Sequence, residues 1–422
     1  MRTAPFLRAI LTCLALTGGL LAPAAQAATA SATVSGQSKE RVMVVLRDHR
    51  VADPQTVAHE HERRYGGAVR AVYRSSLHGY VAEMPAGARH GIARDPRVAF
   101  VERDQVATVY AEVPTGVDRI EADRDPTADI DGVDERVDVD LAIIDTGVDP
   151  KHPDLNVVGG ARCISLLGLF AGCRNRGFAD DNGHGTHVAG IAAARDDGSG
   201  VVGVAPGARL WAVKVANAAG GAYVSDIVAG IDWVTARAGT IEVANMSLGC
   251  QCRSRVLDEA VNRSTEAGVV YVVAAGNSGR DAAGFSPANH PRAIAVSAMA
   301  DFDGKPGGLA DATCRADADD TFADFSNYGS VVDLAAPGVC ITSTWPGGGY
   351  HTISGSSMAS PHVAGAAALY ILRNDVGSGS ERWWQVREGL RSRWAVPQGN
   401  ACGFTGGRSD EPMLMLAACD SG

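Results

Sequence analysis

The sequence predicts an α/β fold, a parallel β-sheet covered by helices, with a smaller α+β unit ahead of it. Three observations carry that expectation. Apolar strand-like stretches such as LAIID (141–145), IEVANMSLG (241–249) and GVVYVVAAG (268–276) alternate with helix-like stretches at 222–238 and 254–267, the rhythm of βαβ units. LAIID and VVYVVAA are apolar almost throughout, as strands buried on both faces are. Asp145, His184, Asn277 and Ser357 fall at strand ends or helix starts, which share one edge of a parallel sheet.

A chain of 422 residues exceeds one ordinary core, so at least two units are expected. With 46% hydrophobic and 20% charged residues it reads as a soluble globular protein. The net charge of −10 is unevenly placed: residues 28–110 hold 12 Lys/Arg against 9 Asp/Glu, and the rest of the acid lies beyond residue 111. An acidic body excludes nucleic acid and anionic membrane as natural partners. It also suits a basic segment of the same chain.

Taken in order, residues 1–27 open with Arg2 and Arg8, continue through a mostly apolar run to Ala22 and close on Ala25-Gln26-Ala27. That is the pattern of a secretory signal with a small-residue cleavage site, so an extracellular protein is expected. Cys13 leaves with it. The eight remaining cysteines, Cys163, Cys173, Cys250, Cys252, Cys314, Cys340, Cys402 and Cys419, imply disulfides in an exported chain. Proximity favours Cys163–Cys173 and Cys402–Cys419. A Cys250–Cys252 bridge is expected to be difficult, since the two Cα atoms must approach within about 7 Å without straining a strand.

Residues 28–38 are rich in Ala, Ser and Thr. From 39 to 110 the pattern is strand (41–48), helix (53–67), strand (79–85) and a turn followed by a strand (95–104), a module of ferredoxin-like type. No catalytic cluster lies within it. The body then runs VDLAIIDTG, NGHGTHVAGIAAA (182–194), GVAPGARLWAVKV (203–215), IEVANMSLG, GVVYVVAAGNSG and ISGSSMASPHVAGAAALYIL (353–372). Ser357 ends a loop of small residues and opens an apolar helix, where unpaired N–H groups favour a developing anion. A serine needs a base, an orienting acid and an oxyanion donor to act as a nucleophile. His184, Asp145 and Asn277 supply those types.

The order Asp…His…Ser, with DTG, HGTHVAG, AAGN and GSSMASPHVAG, resembles the subtilisin-like serine proteases over about residues 113–372, and FSNYGSVVDLAAPG (325–338) with ITSTW is similar to the proteinase K branch. The triad order and the oxyanion asparagine of that family are established examples. The resemblance implies a three-layer fold with helices on both sheet faces. It implies a catalytic set of Asp145, His184 and Ser357, with Asn277 and the Ser357 N–H as oxyanion donors. Ser247, Leu248 and Gly249 match the edge strand that pairs with extended substrate, and Ala274, Ala275 and Gly276 a wall of the primary pocket. The small pocket residues suggest aromatic or large apolar side chains at the cleaved position. Ser356 stands where the family usually has Thr, and Cys250-Gln251-Cys252 follows the substrate strand as a second departure.

The segment 39–110 resembles the family's inhibitory propeptide, which implies self-cleavage at Tyr110–Ala111 and a peptidase domain from 111 to 422, with 373–422 as its C-terminal extension. His49, His59, His61, His78 and His90 offer a route to pH-dependent release, against the alternative of plain surface histidines. His187 and His362 read as buried contacts, and Trp383 and Trp384 as packing. Asp154 and Asp197 match a calcium site of the family. DFDGKPGG (301–308) and DADD (317–320) suggest a second. No cofactor is expected for catalysis. The expected protein is a monomeric, secreted, self-processing endopeptidase acting on proteins or peptides; the alternatives are a catalytically silent binding protein on the same fold and a narrow-specificity maturation protease.

Overall fold

The computed structural model describes residues 39–47, 53–74, 78–104, 113–164 and 172–418. The expected signal, the Tyr110–Ala111 bond and Cys419 lie outside them. The chain divides into two units between residues 107 and 108.

The first unit contains β1 (Lys39–Leu46), α1 (Pro54–Tyr65), β2 (Ala68–Tyr73), β3 (Gly79–Pro85), α2 (Ala88–Ile92) and β4 (Val98–Arg103). Val42, Val44 and Leu46 of β1 are buried while their neighbours are not, the period of a strand with one face on a core. Asp53 caps α1 by accepting from Thr56 N–H at 3.1 Å, ahead of Pro54 in the first turn. The antiparallel sheet runs β2-β3-β1-β4, the order of a split βαβ module. β2 and α2 go beyond the sequence reading. β2 has no buried residue and a register shift between Val69 and Ala71, which erases the alternation that would reveal it. His61 is buried rather than superficial: Nδ1 lies 2.5 Å from Tyr80 OH and Nε2 3.1 Å from Asp95. Burial holds its pKa below the ordinary 6.5 despite Asp95.

The second unit begins with α3 (Thr115–Arg119), β5 (Asp140–Asp145), β6 (Val157–Arg162), α4 (His184–Ala193), β7 (Arg209–Lys214), α5 (Val224–Thr235), β8 (Val243–Met246), α6 (Arg255–Glu266), β9 (Val270–Ala274) and β10 (Ala293–Ala300). It continues with β11 (Thr321–Phe322), β12 (Leu334–Pro337), the hairpin β13 (Ile341–Trp345) and β14 (Gly349–Ile353), α7 (Ser356–Arg373), α8 (Arg382–Arg393), β15 (Ala395–Val396) and β16 (Met413–Leu414). The main sheet runs β15-β16-β12-β10-β9-β8-β5-β7-β6, with β11 beside β10. From β16 to β6 the neighbouring pairs are parallel.

Two cores explain the unbroken apolar strands. Leu141 and Ile143 of β5 join Val188 of α4, Val363 of α7 and Leu390 of α8. Ala142 and Ile144, which point the other way, join Ile231 of α5 and Val261 of α6. Val270 and Val272 of β9 divide from Tyr271 and Val273 in the same manner. Successive side chains enter opposite cores, so no strand position here is polar by default. The result is the expected three-layer α/β arrangement.

The C-terminal stretch is woven into this sheet through β16, which pairs with β12. Arg387 of α8 reaches Asp333, which is buried just before β12, at 2.7 Å, and the Pro291 carbonyl at 2.8 Å. Trp384 is half exposed rather than packed. The structure bridges Cys163–Cys173 as proximity suggested, and Cys314–Cys340 besides. Cys250 and Cys252 are also bonded, contrary to expectation. The chain bends at Gln251, with Cys252 N–H donating to the Cys250 carbonyl at 2.8 Å, and the Cα atoms lie 5.2 Å apart, inside the range a disulfide spans.

Candidate active site

Asp145 is the last residue of β5, and its side chain is almost fully buried. One oxygen accepts from Thr146 N–H at 2.7 Å and from His184 Nδ1 at 2.8 Å. That contact assigns the proton of His184 to Nδ1 and leaves Nε2 able to accept one. Burial pulls the imidazole pKa down, but the charge and hydrogen bond of Asp145, with Asp180 behind it, raise it above 6.5 overall.

His184 opens α4, and the turn before it is held by Asp180, which sequence reading passed over. Its carboxylate takes Asn182 N–H, Gly183 N–H and Thr146 Oγ1 on one oxygen, and both Thr186 N–H and Thr186 Oγ1 on the other. Five donors on one carboxylate orient the loop that presents the imidazole. They also outweigh the cost of its burial and leave its pKa lowered. Gly185 follows because a Cβ there would sit 2.1 Å from the Gly147 carbonyl. The DDNGH pattern, an acid just before a glycine turn, was the available signal for Asp180.

Ser357 lies in the first turn of α7. Its hydroxyl donates to the Ser247 carbonyl at 3.1 Å, and the Ser247 hydroxyl donates to the Ser357 carbonyl at 2.8 Å. The Ser247 hydroxyl accepts from Asn245 Nδ2, and Asn245 Oδ1 accepts from Ser360. β8 and α7 are therefore joined by a buried polar chain beside the nucleophile.

Asn277 follows β9. Its Oδ1 accepts from both Ser356 N–H and Ser356 Oγ at 2.8 Å. A backbone N–H can only donate, so Oδ1 faces Ser356 and Nδ2 faces away. The Ser356 hydroxyl accepts in turn from Gly276 N–H at 3.0 Å, so the substitution of serine for threonine keeps the contact that orients Asn277. A Cβ built on Gly355 would lie 3.2 Å from Asn277 Nδ2 and 3.6 Å from Ser357 N. Two donors thus border one space that glycine leaves open, as an oxyanion requires.

Ser247, Leu248, Gly249, Ala274, Ala275, Gly276, Asn277 and Ser357 line one cavity of about 290 Å³, together with Gln251 and Phe285. Apolar side chains of Leu248, Ala274, Ala275 and Phe285 share its lining with Ser357 and Asn277. His187 and His362 stand apart from this chemistry. His187 Nε2 meets the carbonyls of Ile341 and His351, and burial lowers its pKa to about 3. His362 Nδ1 meets the Met358 carbonyl, and burial lowers its pKa to about 4.

Residues 137–391 match the family model described as the subtilase family. The chain is a subtilase. An alkaline protease of Alkalihalobacillus alcalophilus is 41% identical over 281 residues, 66% of this chain and 65% of that protein. Subtilisin E of Bacillus subtilis (strain 168) is 39% identical over 305 residues, 71% of each chain. Among solved structures, a cold adapted subtilisin-like serine proteinase matches 74% of this chain and 100% of its own with 33% identity and a TM-score of 0.55. This subtilase spans just under two thirds of the alkaline protease it matches.

The two expected calcium ligands each make hydrogen bonds within the protein. Asp154 Oδ2 accepts from Val201 N–H and the Tyr350 hydroxyl, and exposed Asp197 closes a turn on Ser199. Among the described residues the group of three carboxylates within 4.8 Å of one another is Asp301 and Asp303 from the 301–308 stretch with Asp319 from 317–320. Oxygen donors of that kind fit calcium. Among the described residues no helix is long and apolar enough to cross a membrane.

Proposed function

We propose that this subtilase is a secreted serine endopeptidase that hydrolyses peptide bonds through an acyl-enzyme on Ser357. The observation that carries the reading is the 2.8 Å hydrogen bond between His184 and Asp145, together with a cavity that Ser357 and Asn277 line in common. Substrate in extended form would pair with residues 247–249 and drop one side chain between them and 274–276. On attack, Ser357 Oγ leaves the Ser247 carbonyl, bonds to the substrate carbonyl carbon and passes its proton to His184 Nε2. Asp145 steadies the imidazolium. Asn277 Nδ2 and Ser357 N–H stabilise the oxyanion. The proton then goes to the leaving amine, and water repeats the sequence on the ester.

The reading extends to a self-processing precursor. Residues 1–27 would direct export, residues 28–110 would act as an intramolecular inhibitor, and cleavage at Tyr110–Ala111 would release the enzyme. The split βαβ order of the first unit and its basic charge support this. Structural calcium belongs to the same proposal, with Asp154 and Asp197 at one candidate site and Asp301, Asp303 and Asp319 at a second; it would supply no step of the reaction.

Expression of the full chain with Ser357→Ala tests the mechanism. The variant should accumulate as unprocessed precursor and take no fluorophosphonate label, while the parent self-cleaves and labels with one equivalent. Normal self-cleavage of the variant would sink the mechanism. A parent chain that takes no label would favour a catalytically silent protein instead.

A further inference from the structure

The cavity beside Ser357 has a feature that the hydrolytic chemistry does not use. Leu248, Ala274, Ala275, Ala288 and Phe285 give it a patch of apolar side chains among serines and backbone, and among the described residues no charged side chain lines it. A wall of this kind distinguishes poorly between an aromatic ring and the same ring with a hydroxyl. Most of its polar groups are already committed. The Ser356 hydroxyl is taken by Asn277 and Gly276 N–H, and the Ser286 hydroxyl by Asn289 and Ser254 N–H. Gln251, exposed at the rim, adds a carboxamide with both donor and acceptor.

The backbone carrying that carboxamide is tied down on several sides. Cys250 and Ser286 exchange both backbone hydrogen bonds, at 2.9 and 3.1 Å. The Cys250–Cys252 bridge and the 2.8 Å bond from Cys252 N–H to the Cys250 carbonyl close the loop around Gln251 itself. A Cβ on Gly249 would approach the Ser286 carbonyl to 2.8 Å, so the preceding residue is pressed against the same partner. Fixing the backbone beforehand removes part of the entropy cost of placing a long side chain.

We propose that Gln251, held at the rim by the Cys250–Cys252 bridge, is a specificity-determining residue for the side chain on the acyl side of the cleaved bond. It favours a long side chain ending in an uncharged hydrogen-bonding group, a phenolic hydroxyl foremost, over the apolar isostere. The inference rests on the endopeptidase reading above. A buried hydroxyl without a partner is penalised, and one hydrogen bond to the carboxamide turns that penalty into selection.

The test uses the processed enzyme, titrated for active sites, on two peptides that differ only in Tyr or Phe at the cleaved position. The parent should prefer Tyr in kcat/KM by about tenfold. Gln251→Ala should bring that ratio near one while leaving the Phe peptide within about twofold, and Gln251→Glu should shift preference toward Lys or Arg. The double change Cys250→Ser with Cys252→Ser should lower the ratio with Gln251 intact. Ser278→Ala, an exposed residue elsewhere on the same lining, should not change it. An unchanged ratio in Gln251→Ala, a loss in Ser278→Ala alone, or equal losses on both peptides would overturn the assignment. A parent that titrates but cleaves neither peptide, nor any member of a peptide library, would overturn the endopeptidase reading and this inference with it.

Discussion

Ser247 and Ser357 hold each other by two hydrogen bonds, each hydroxyl donating to the other's carbonyl, at 2.8 and 3.1 Å. The reason lies four residues further on. Pro361 has no N–H, so the Ser357 carbonyl lacks its intrahelical donor and is available to the Ser247 hydroxyl. A proline inside a helix thus couples the substrate-side strand end to the nucleophile.

Ser247→Ala removes the donor and leaves that carbonyl and Asn245 Nδ2 short of partners. Stability should fall by about 1–2 kcal/mol, read by denaturant unfolding of the Ser357→Ala precursor. In the processed enzyme kcat/KM should fall as well. Unchanged stability would show the pair to be incidental.

Asn277→Ala should lower kcat by about 10²–10³, with a much smaller change in KM, because the bond it makes belongs to the transition state. Gly355→Ala should be comparably damaging, since the added methyl would stand 3.2 Å from Asn277 Nδ2 and fill the space the oxyanion needs. Steady-state kinetics on one peptide compares the two. A Gly355→Ala enzyme with parental kcat would place the oxyanion elsewhere.

His184 must be neutral to accept the proton, and its pKa lies above 6.5. The acid limb of the kcat/KM profile should therefore have its midpoint above pH 6.5, and Asp145→Asn should move it downward while lowering the rate severely. The linked stability has the opposite sense. A raised folded-state pKa stabilises the fold fully below pH 6.5, and that contribution is lost as pH rises through the higher value. An acid limb below 6.5 in the parent would contradict the ion pair.

Arg387→Ala should strip Asp333 of its nearest cation, leaving a buried carboxylate with Ala295 N–H and the more distant Arg391. A loss of about 2–3 kcal/mol is expected, measured by thermal unfolding of the Ser357→Ala precursor. If the melting temperature is unchanged, α8 is not fastened to the sheet by this pair.

The candidate set was legible because each member sits in a short stretch whose chemistry is local. Asp145 ends an apolar strand, His184 and Ser357 open apolar helices, and Asn277 follows small residues at a strand end. Asp180 was passed over because its role comes from five donors that converge on it only when the loop is closed. Ser356 looked like a tolerated substitution, and only its two contacts with Asn277 reveal that it turns the carboxamide. In the first unit β2 left too little alternation to be read.

The sequence by itself determined the layered α/β class, the order of the motifs and the residue types available for catalysis, because periodicity and short motifs are properties of neighbouring residues. The tertiary structure decided what depends on distance between remote residues. It fastened the C-terminal strands to the sheet and joined Cys314 to Cys340. It also turned Asn277 Nδ2 toward the space beside Ser357, and let the carbonyl freed by Pro361 meet Ser247.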